Sequence, residues 1–290
     1  MKNKINYLYI LFAAALWGTT GIFINFLSDY GFSTGQLSAL RVGLNVIIIG
    51  IYILLTNKSN FKIKLKDIWV FVGTGILSFA FFTYCYYNSI KLNGMAIGAV
   101  LLYTAPIFVV ILSGILFKDK ITVPKIIAIF LSVLGCALVS GVFSSKGDAL
   151  TPFGFLVGLG SGIGYALYSI FGKFAIDKKY SSMTITFYTF LFASFVAVLM
   201  GFVEKSGVNS ITPKCLLVII AYAVVTGFLP YVLYTKGLEK TKPSIASLTA
   251  TLEPVVATVL GALVFSEVLN LGAFGGIIMI LVSLVIAAVL

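Results

Sequence analysis

The chain reads as two copies of one five-helix apolar unit set 148 residues apart, and no other feature limits its folding as strongly. Pro106 in Tyr103-Thr104-Ala105-Pro106 aligns with Pro254 in Leu252-Glu253-Pro254 without a gap. Phe117 aligns likewise with Phe265, Asp119 with Glu267, Ile22-Phe23 with Ile170-Phe171 and Asp29 with Asp177. Because five is odd, the second copy must enter a membrane upside down relative to the first. Opposed copies of this kind suit a device that opens alternately to either side of a bilayer.

The membrane assignment rests on charge scarcity. Charged residues make up 10% of the chain, against about 25% in soluble domains, and the mean hydropathy is +1.11. Ten spans are expected at 6–26, 34–55, 68–90, 94–117, 122–143, 151–176, 181–203, 212–235, 243–265 and 268–290, joined by short turns. The halves are 1–145 and 149–290. The fold expected is all-α and integral to the membrane, with ten helices in two inverted five-helix repeats.

The net charge of +11 follows the turns and forms no basic face, which argues against nucleic acid as a partner. With a cytoplasmic N-terminus, fifteen lysines fall on that side, from Lys2 and Lys4 through Lys118, Lys120 and Lys125 to Lys242. Only Lys91, Lys146, Lys205 and Lys214 fall on the other, and Arg41 lies within a span. The positive-inside rule then puts both termini in the cytoplasm of a multi-pass inner-membrane protein. Ala13-Ala14-Ala15 resembles a signal-cleavage site, but the apolar run continues through Trp17 to Phe26, so a retained helix is expected. Cys85, Cys136 and Cys215 have no paired spacing and read as packing residues.

Arg41 and Glu253 are the ionisable residues deep in spans, and each costs at least about 2.5–3.5 kcal/mol there unless paired or hydrated. Glu253 lies eleven residues into span 9, about 16 Å deep; Arg41 lies about 10 Å below the opposite surface. Two arrangements relieve the cost. One is a structural ion pair between them, and the other is a hydrated central cavity where they meet charged groups of a substrate. Pro106 and Pro254 should kink spans 4 and 9 at equivalent depth, and freed carbonyls are tolerated in a membrane only where protein or water satisfies them. Tyr103 and Thr104 flank one kink, and Thr249 and Thr251 the other. Trp17, Thr20, Tyr84, Tyr165 and Tyr168 place aromatic rings and hydroxyls at similar depth, a suitable wall for a small organic molecule or an organic cation. Tyr86 and Tyr87 read as an aromatic belt near a surface. Core packing accounts for the same aromatics as well.

Gly154, Gly158 and Gly162 recur every fourth position in span 6, which permits close helix approach, within the chain in preference to across a dimer. The chain has no histidine, no carboxylate pair in a span and no Gly-Lys-Ser/Thr loop. This leaves no catalytic residues, metal site or cofactor to name, and argues against an enzyme and against direct ATP drive.

Ala14-Ala15-Leu16-Trp17-Gly18, Ala39-Leu40-Arg41, Tyr103-Thr104-Ala105-Pro106-Ile107-Phe108 and Leu252-Glu253-Pro254-Val255-Val256-Ala257 with Leu263-Val264-Phe265-Ser266-Glu267 resemble the EamA-type carriers of the drug/metabolite transporter superfamily. The resemblance covers nearly the whole chain. It implies a ten-helix inner-membrane carrier with a cavity walled mainly by spans 1, 3, 4, 6, 8 and 9, moving a small molecule and often outward. Ala105 stands where the second half has Glu253, so charge-dependent chemistry would be one-sided. The expected function is transport of a small metabolite, an amino acid or related compound first, by alternating access as a monomer or homodimer, with Glu253 taking an ammonium or an exchangeable proton and Arg41 meeting a carboxylate or steadying Glu253. A multidrug exporter, a lipid flippase and a non-transporting membrane protein are the rival readings.

Overall fold

A computed structural model describes residues 2–143, 150–203 and 211–290. Lys146, Lys205 and the boundary between the halves at 145 and 149 lie outside these residues. The described chain is helical throughout its apolar segments, with seven helices long enough to cross a bilayer and three shorter ones. In the longest, Leu65–Leu102, the chain doubles back at Gly94, where φ is 82° and ψ 165°. Only glycine takes that conformation freely, and it separates spans 3 and 4 where the sequence predicts.

Span 1 comprises Lys2–Gly18 and Thr20–Ser28; span 2 is Thr34–Thr56. Span 3 runs through Ile68–Val72 and a π-helical stretch Gly73–Ala80 to residue 93. Span 4 continues from 95 through a break into Ala105–Phe117, and span 5 is Val123–Val139. Span 6 is Pro152–Asp177 and span 7 Ser182–Val203. Span 8 has its own π-helical stretch, Val224–Phe228, between Pro213–Ala223 and Leu229–Leu238. Span 9 is Pro243–Ala250 and Leu252–Phe265, and span 10 is Leu271–Ala288.

The 148-residue offset relates local geometry as well as sequence. Span 4 breaks at Tyr103 and Thr104, span 9 at Thr251. Pro106 and Pro254 cause this, since neither has an N–H for the carbonyl four residues earlier, that of Leu102 or Ala250. Both helices end in a left-handed residue, Lys118 and Ser266, each with φ 56°. Asp119 N–H then donates to Ser113 O at 3.2 Å and Glu267 N–H to Gly261 O at 3.4 Å. The π-helical stretches of spans 3 and 8 also overlap under the offset.

Contacts between the halves are reciprocal. Span 1 packs on spans 8 and 9, and span 6 packs on spans 3 and 4; span 2 meets span 7 and span 5 meets span 10. Such mutual pairing is the mark of a two-fold relation. The span 6 glycines make one of these contacts possible. A Cβ at Gly158 would meet Ser89 Oγ at 2.8 Å, and one at Gly162 would meet Thr104 Oγ1 at 2.6 Å and Leu101 O at 2.9 Å. The stripe therefore seals span 6 against spans 3 and 4 within the chain.

Candidate functional site

The breaks assemble the site. Gly18 ends the first segment of span 1, and a Cβ there would meet Val256 Cβ at 2.7 Å and Glu253 O at 2.9 Å. The interruption of span 1 thus lies against that of span 9. No proline announces the span 1 break. Thr19 and Thr20 hydroxyls donate to Leu16 O at 2.7 Å and Trp17 O at 2.5 Å, back-bonding that bends a helix.

Beside the breaks lies an aromatic chamber. Trp17 comes from span 1, Ser78, Phe79 and Phe82 from span 3, Tyr165, Tyr168 and Ser169 from span 6, and Tyr231 and Tyr234 from span 8. Trp17 meets Tyr231 edge-on at 5.2 Å and Tyr165 at 6.1 Å. Tyr231 also meets Phe79 at 5.6 Å and Tyr168 at 5.1 Å, which makes it the hub. Several deep hydroxyls are partnered: Tyr168 pairs with Thr235 Oγ1 at 2.7 Å, Tyr234 with Ser169 Oγ at 2.6 Å, and Ser78 donates to Gly164 O at 2.7 Å. The free space is about 10 Å³, room for about one water. Where the sequence leads us to expect a hydrated central cavity, these rings leave room for about one water.

Glu253 occupies the first turn of the helix that resumes after the span 9 break. The Tyr165 hydroxyl donates to its Oε2 at 3.2 Å. Tyr103 and Tyr86 are its further neighbours in the first half. Glu253 is half-buried, although it lies near the middle of span 9.

Arg41 is also half-buried, but it is in no ion pair among the described residues. Its guanidinium carbon lies 5.5 Å from the ring centre of Phe79 and 5.6 Å from that of Tyr222. A structural ion pair with Glu253 is therefore not formed. Phe79, Tyr231 and Trp17 form the ring contacts that link the Arg41 region to the Glu253 region.

Of the other residues singled out from the sequence, Trp17, Tyr165 and Tyr168 line the chamber. Tyr84 does not: it is 49% exposed on the outer surface of the helix. The inward residues of span 3 are Phe79, Phe82 and Tyr86, the last stacked on Phe82 at 5.7 Å, so the belt assignment of Tyr86 is corrected too. Depth singles out Tyr84 but does not say which face of span 3 meets the chamber, and the π-helical stretch just upstream changes the angular register of that face. The threonines do not line the chamber. Thr20, Thr104 and Thr251 each donate to the carbonyl three residues back, serving the breaks, while buried Thr249 donates to Ile245 O. Ser78, Phe79, Phe82, Ser169, Tyr231 and Tyr234 were missed as site residues. Tyr231 and Tyr234, three residues apart in span 8, are the ones for which helical spacing carried a signal.

On the side of the termini a vestibule of about 440 Å³ opens between spans 4, 6 and the turn joining spans 8 and 9. Asp119 lies in its wall and holds Lys125 at 2.7 Å, Lys242 at 3.5 Å and the Ser244 hydroxyl. Burial raises the Asp119 carboxyl, but the bonds from Lys125 and Ser244 and the charges of Lys125 and Lys242 outweigh it and hold it below the usual range. Lys118, Lys120, Lys173 and Lys240, with Glu239 among them, leave the rest of the rim predominantly basic.

The model of the EamA-like transporter family matches this chain twice, over residues 4–141 and 152–289. The chain belongs to that family. An uncharacterized transporter of Archaeoglobus fulgidus is 30% identical over 96% of this chain and 94% of its own length. The uncharacterized transporter YwfM of Bacillus subtilis is 25% identical over 99% and 94%. A crystal structure 15% identical in sequence superposes with a TM-score of 0.81 over 98% of this chain and 96% of that one, which shows a shared fold. This EamA-family chain is thus a multi-pass membrane transporter, and its two family matches coincide with the two sets of five helices.

Proposed function

We propose that this protein is a secondary carrier that exports a small polar or amphipathic metabolite, an amino acid or related compound, across the cell membrane by alternating access. The halves, 1–145 and 149–290, are inverted, because a two-fold relation between units with an odd number of crossings requires an axis in the membrane plane. Both termini face the cytoplasm, so the vestibule at Asp119 is the cytoplasmic mouth. Rocking of one half on the other separates the rings around Tyr231 and opens the chamber to each side in turn.

The observation that carries this reading is half-buried Glu253, whose carboxylate accepts from Tyr165 beside the interruptions of spans 1 and 9. It offers a hydrogen-bonded anion to a substrate ammonium or to a proton, at a depth where lipid offers neither. The test is uptake of radiolabelled amino acids into proteoliposomes under an imposed pH gradient. Wild type should respond to the gradient and Glu253→Gln should not; equal responses would remove the proton-coupling role.

The seven aromatic rings of the chamber support a second reading, export of organic cations, through attraction between ring faces and positive charge. Broad resistance to cationic toxicants on overexpression, with no metabolite transport, would favour it.

A further inference from the structure

Span 2 carries a polar stripe that the chamber does not use. Ser38, Arg41 and Asn45 are spaced three and four residues apart, so they share one face of the helix. Each retains a buried polar atom without a hydrogen-bond partner: Ser38 Oγ, Arg41 Nε and Asn45 Oδ1. Asn45 is fully buried, and its Nδ2 is committed to Arg41 O at 2.8 Å. Span 8 comes close here because residue 227 is glycine; a Cβ at that position would collide with Asn45 Nδ2.

The contrast with Lys125 shows what is missing. Lys125, 3% exposed, has Asp119 at 2.7 Å and Lys120 O at 2.9 Å. Arg41 has against it the rings of Phe79 and Tyr222, which attract its charge but accept no N–H with a lone pair. A half-buried guanidinium whose Nε has no acceptor is costly, and no carboxylate of the described chain supplies one. Its planar fork fits a carboxylate with two parallel bonds. Ser38, one turn away, can donate to the same anion, and Asn45 Oδ1 can accept from an ammonium or hydroxyl beside it.

We propose that Ser38, Arg41 and Asn45 form a carboxylate-binding station on the side of the chamber away from the termini, distinct from Glu253, and that the transported compound therefore carries a carboxylate. The inference rests on the carrier reading above and names its substrate class. A compound bearing both charges has one recognition group on each side of the Tyr231 hub.

The test uses purified full-length protein and three probes of one shape: leucine, 3-methylbutylamine, which lacks the carboxylate, and 4-methylpentanoate, which lacks the ammonium. Binding is measured by calorimetry in a chloride-free buffer and again with added chloride. Both carboxylates should bind, and the amine about tenfold more weakly or less. Arg41→Gln should erase that preference, Arg41→Lys should retain part of it, and Ser38→Ala should weaken both carboxylates a few-fold without unfolding the protein. Amine binding equal to leucine, no binding of any probe, or displacement of both carboxylates by equimolar chloride would overturn the station. Transport of a carboxylate-free solute by wild type would overturn it too and leave the carrier standing. Vesicles inert to every solute, with the carboxylate preference intact, would overturn the carrier and leave the station.

Discussion

Asp119 and Glu267 occupy equivalent positions 148 residues apart and close their helices with the same backbone bond, yet only Asp119 is built into a charged network. Ala96, Ala273 and Gly94 stand where the other half has Ser244, Lys125 and Lys242, so Glu267 lacks the groups that tie Asp119 to span 9. The two-fold relation holds for the backbone and is broken in the side chains. Glu253 against Ala105 breaks it beside the chamber as well.

The Asp119 network should stabilise the fold in a pH-dependent way. Asp119→Ala leaves buried Lys125 without its carboxylate, at a cost of about 3–5 kcal/mol. Since the folded carboxyl titrates below its unfolded value of about 3.9, its contribution is fully present above that value and disappears as pH falls through the lower folded one. Thermal unfolding in detergent should separate wild type from Asp119→Asn at pH 7, and the gap should narrow below about pH 4.

Loss of the hydroxyl that holds Glu253 should slow transport while sparing the fold. A hydrogen bond to a charged group contributes about 1.5–3 kcal/mol, so Tyr165→Phe should lower the transport rate about tenfold or more. Tyr84→Phe, on the exposed face of span 3, should transport at the wild-type rate. Parallel flux measurements on the two variants check both outcomes.

Close approach of span 6 to the span 4 break should tolerate no added methyl group. Gly162→Ala sets a Cβ against Leu101 O and Thr104 Oγ1 and should cost about 1–3 kcal/mol of stability. Gly21→Ala, where a Cβ would meet nothing within 4 Å, should not lower the melting temperature. Melting curves of the pair isolate the contact from the general effect of glycine replacement.

The paired breaks should matter to motion more than to folding. Pro106→Ala and Pro254→Ala restore an N–H for Leu102 O and Ala250 O, favouring continuous helices in spans 4 and 9. Each should keep or raise thermal stability while reducing flux, and the double variant should be slower than either alone. Flux at wild-type rates in the double variant would show that the interruptions do not serve transport.

Much of this was legible in the residues. Hydropathy and short turns gave the ten spans, including a turn between spans 3 and 4 next to Gly94, and the prolines gave the breaks in spans 4 and 9, because each effect acts within a few residues of its cause. Trp17, Tyr165 and Tyr168 were found for the same reason: they lie on regular helix beside a recognisable depth marker.

Tertiary structure alone decided which side chains meet. The π-helical stretch Gly73–Ala80 turned Phe82 and Tyr86 inward and Tyr84 outward, and the Gly18 contact with span 9 accompanies a break in span 1 that no proline marks. Arg41 and Glu253, matched in depth by counting residues, went to separate partners. Sequence periodicity sets how far along a helix a residue lies, whereas the rotation of each helix about its axis is set by all its neighbours together.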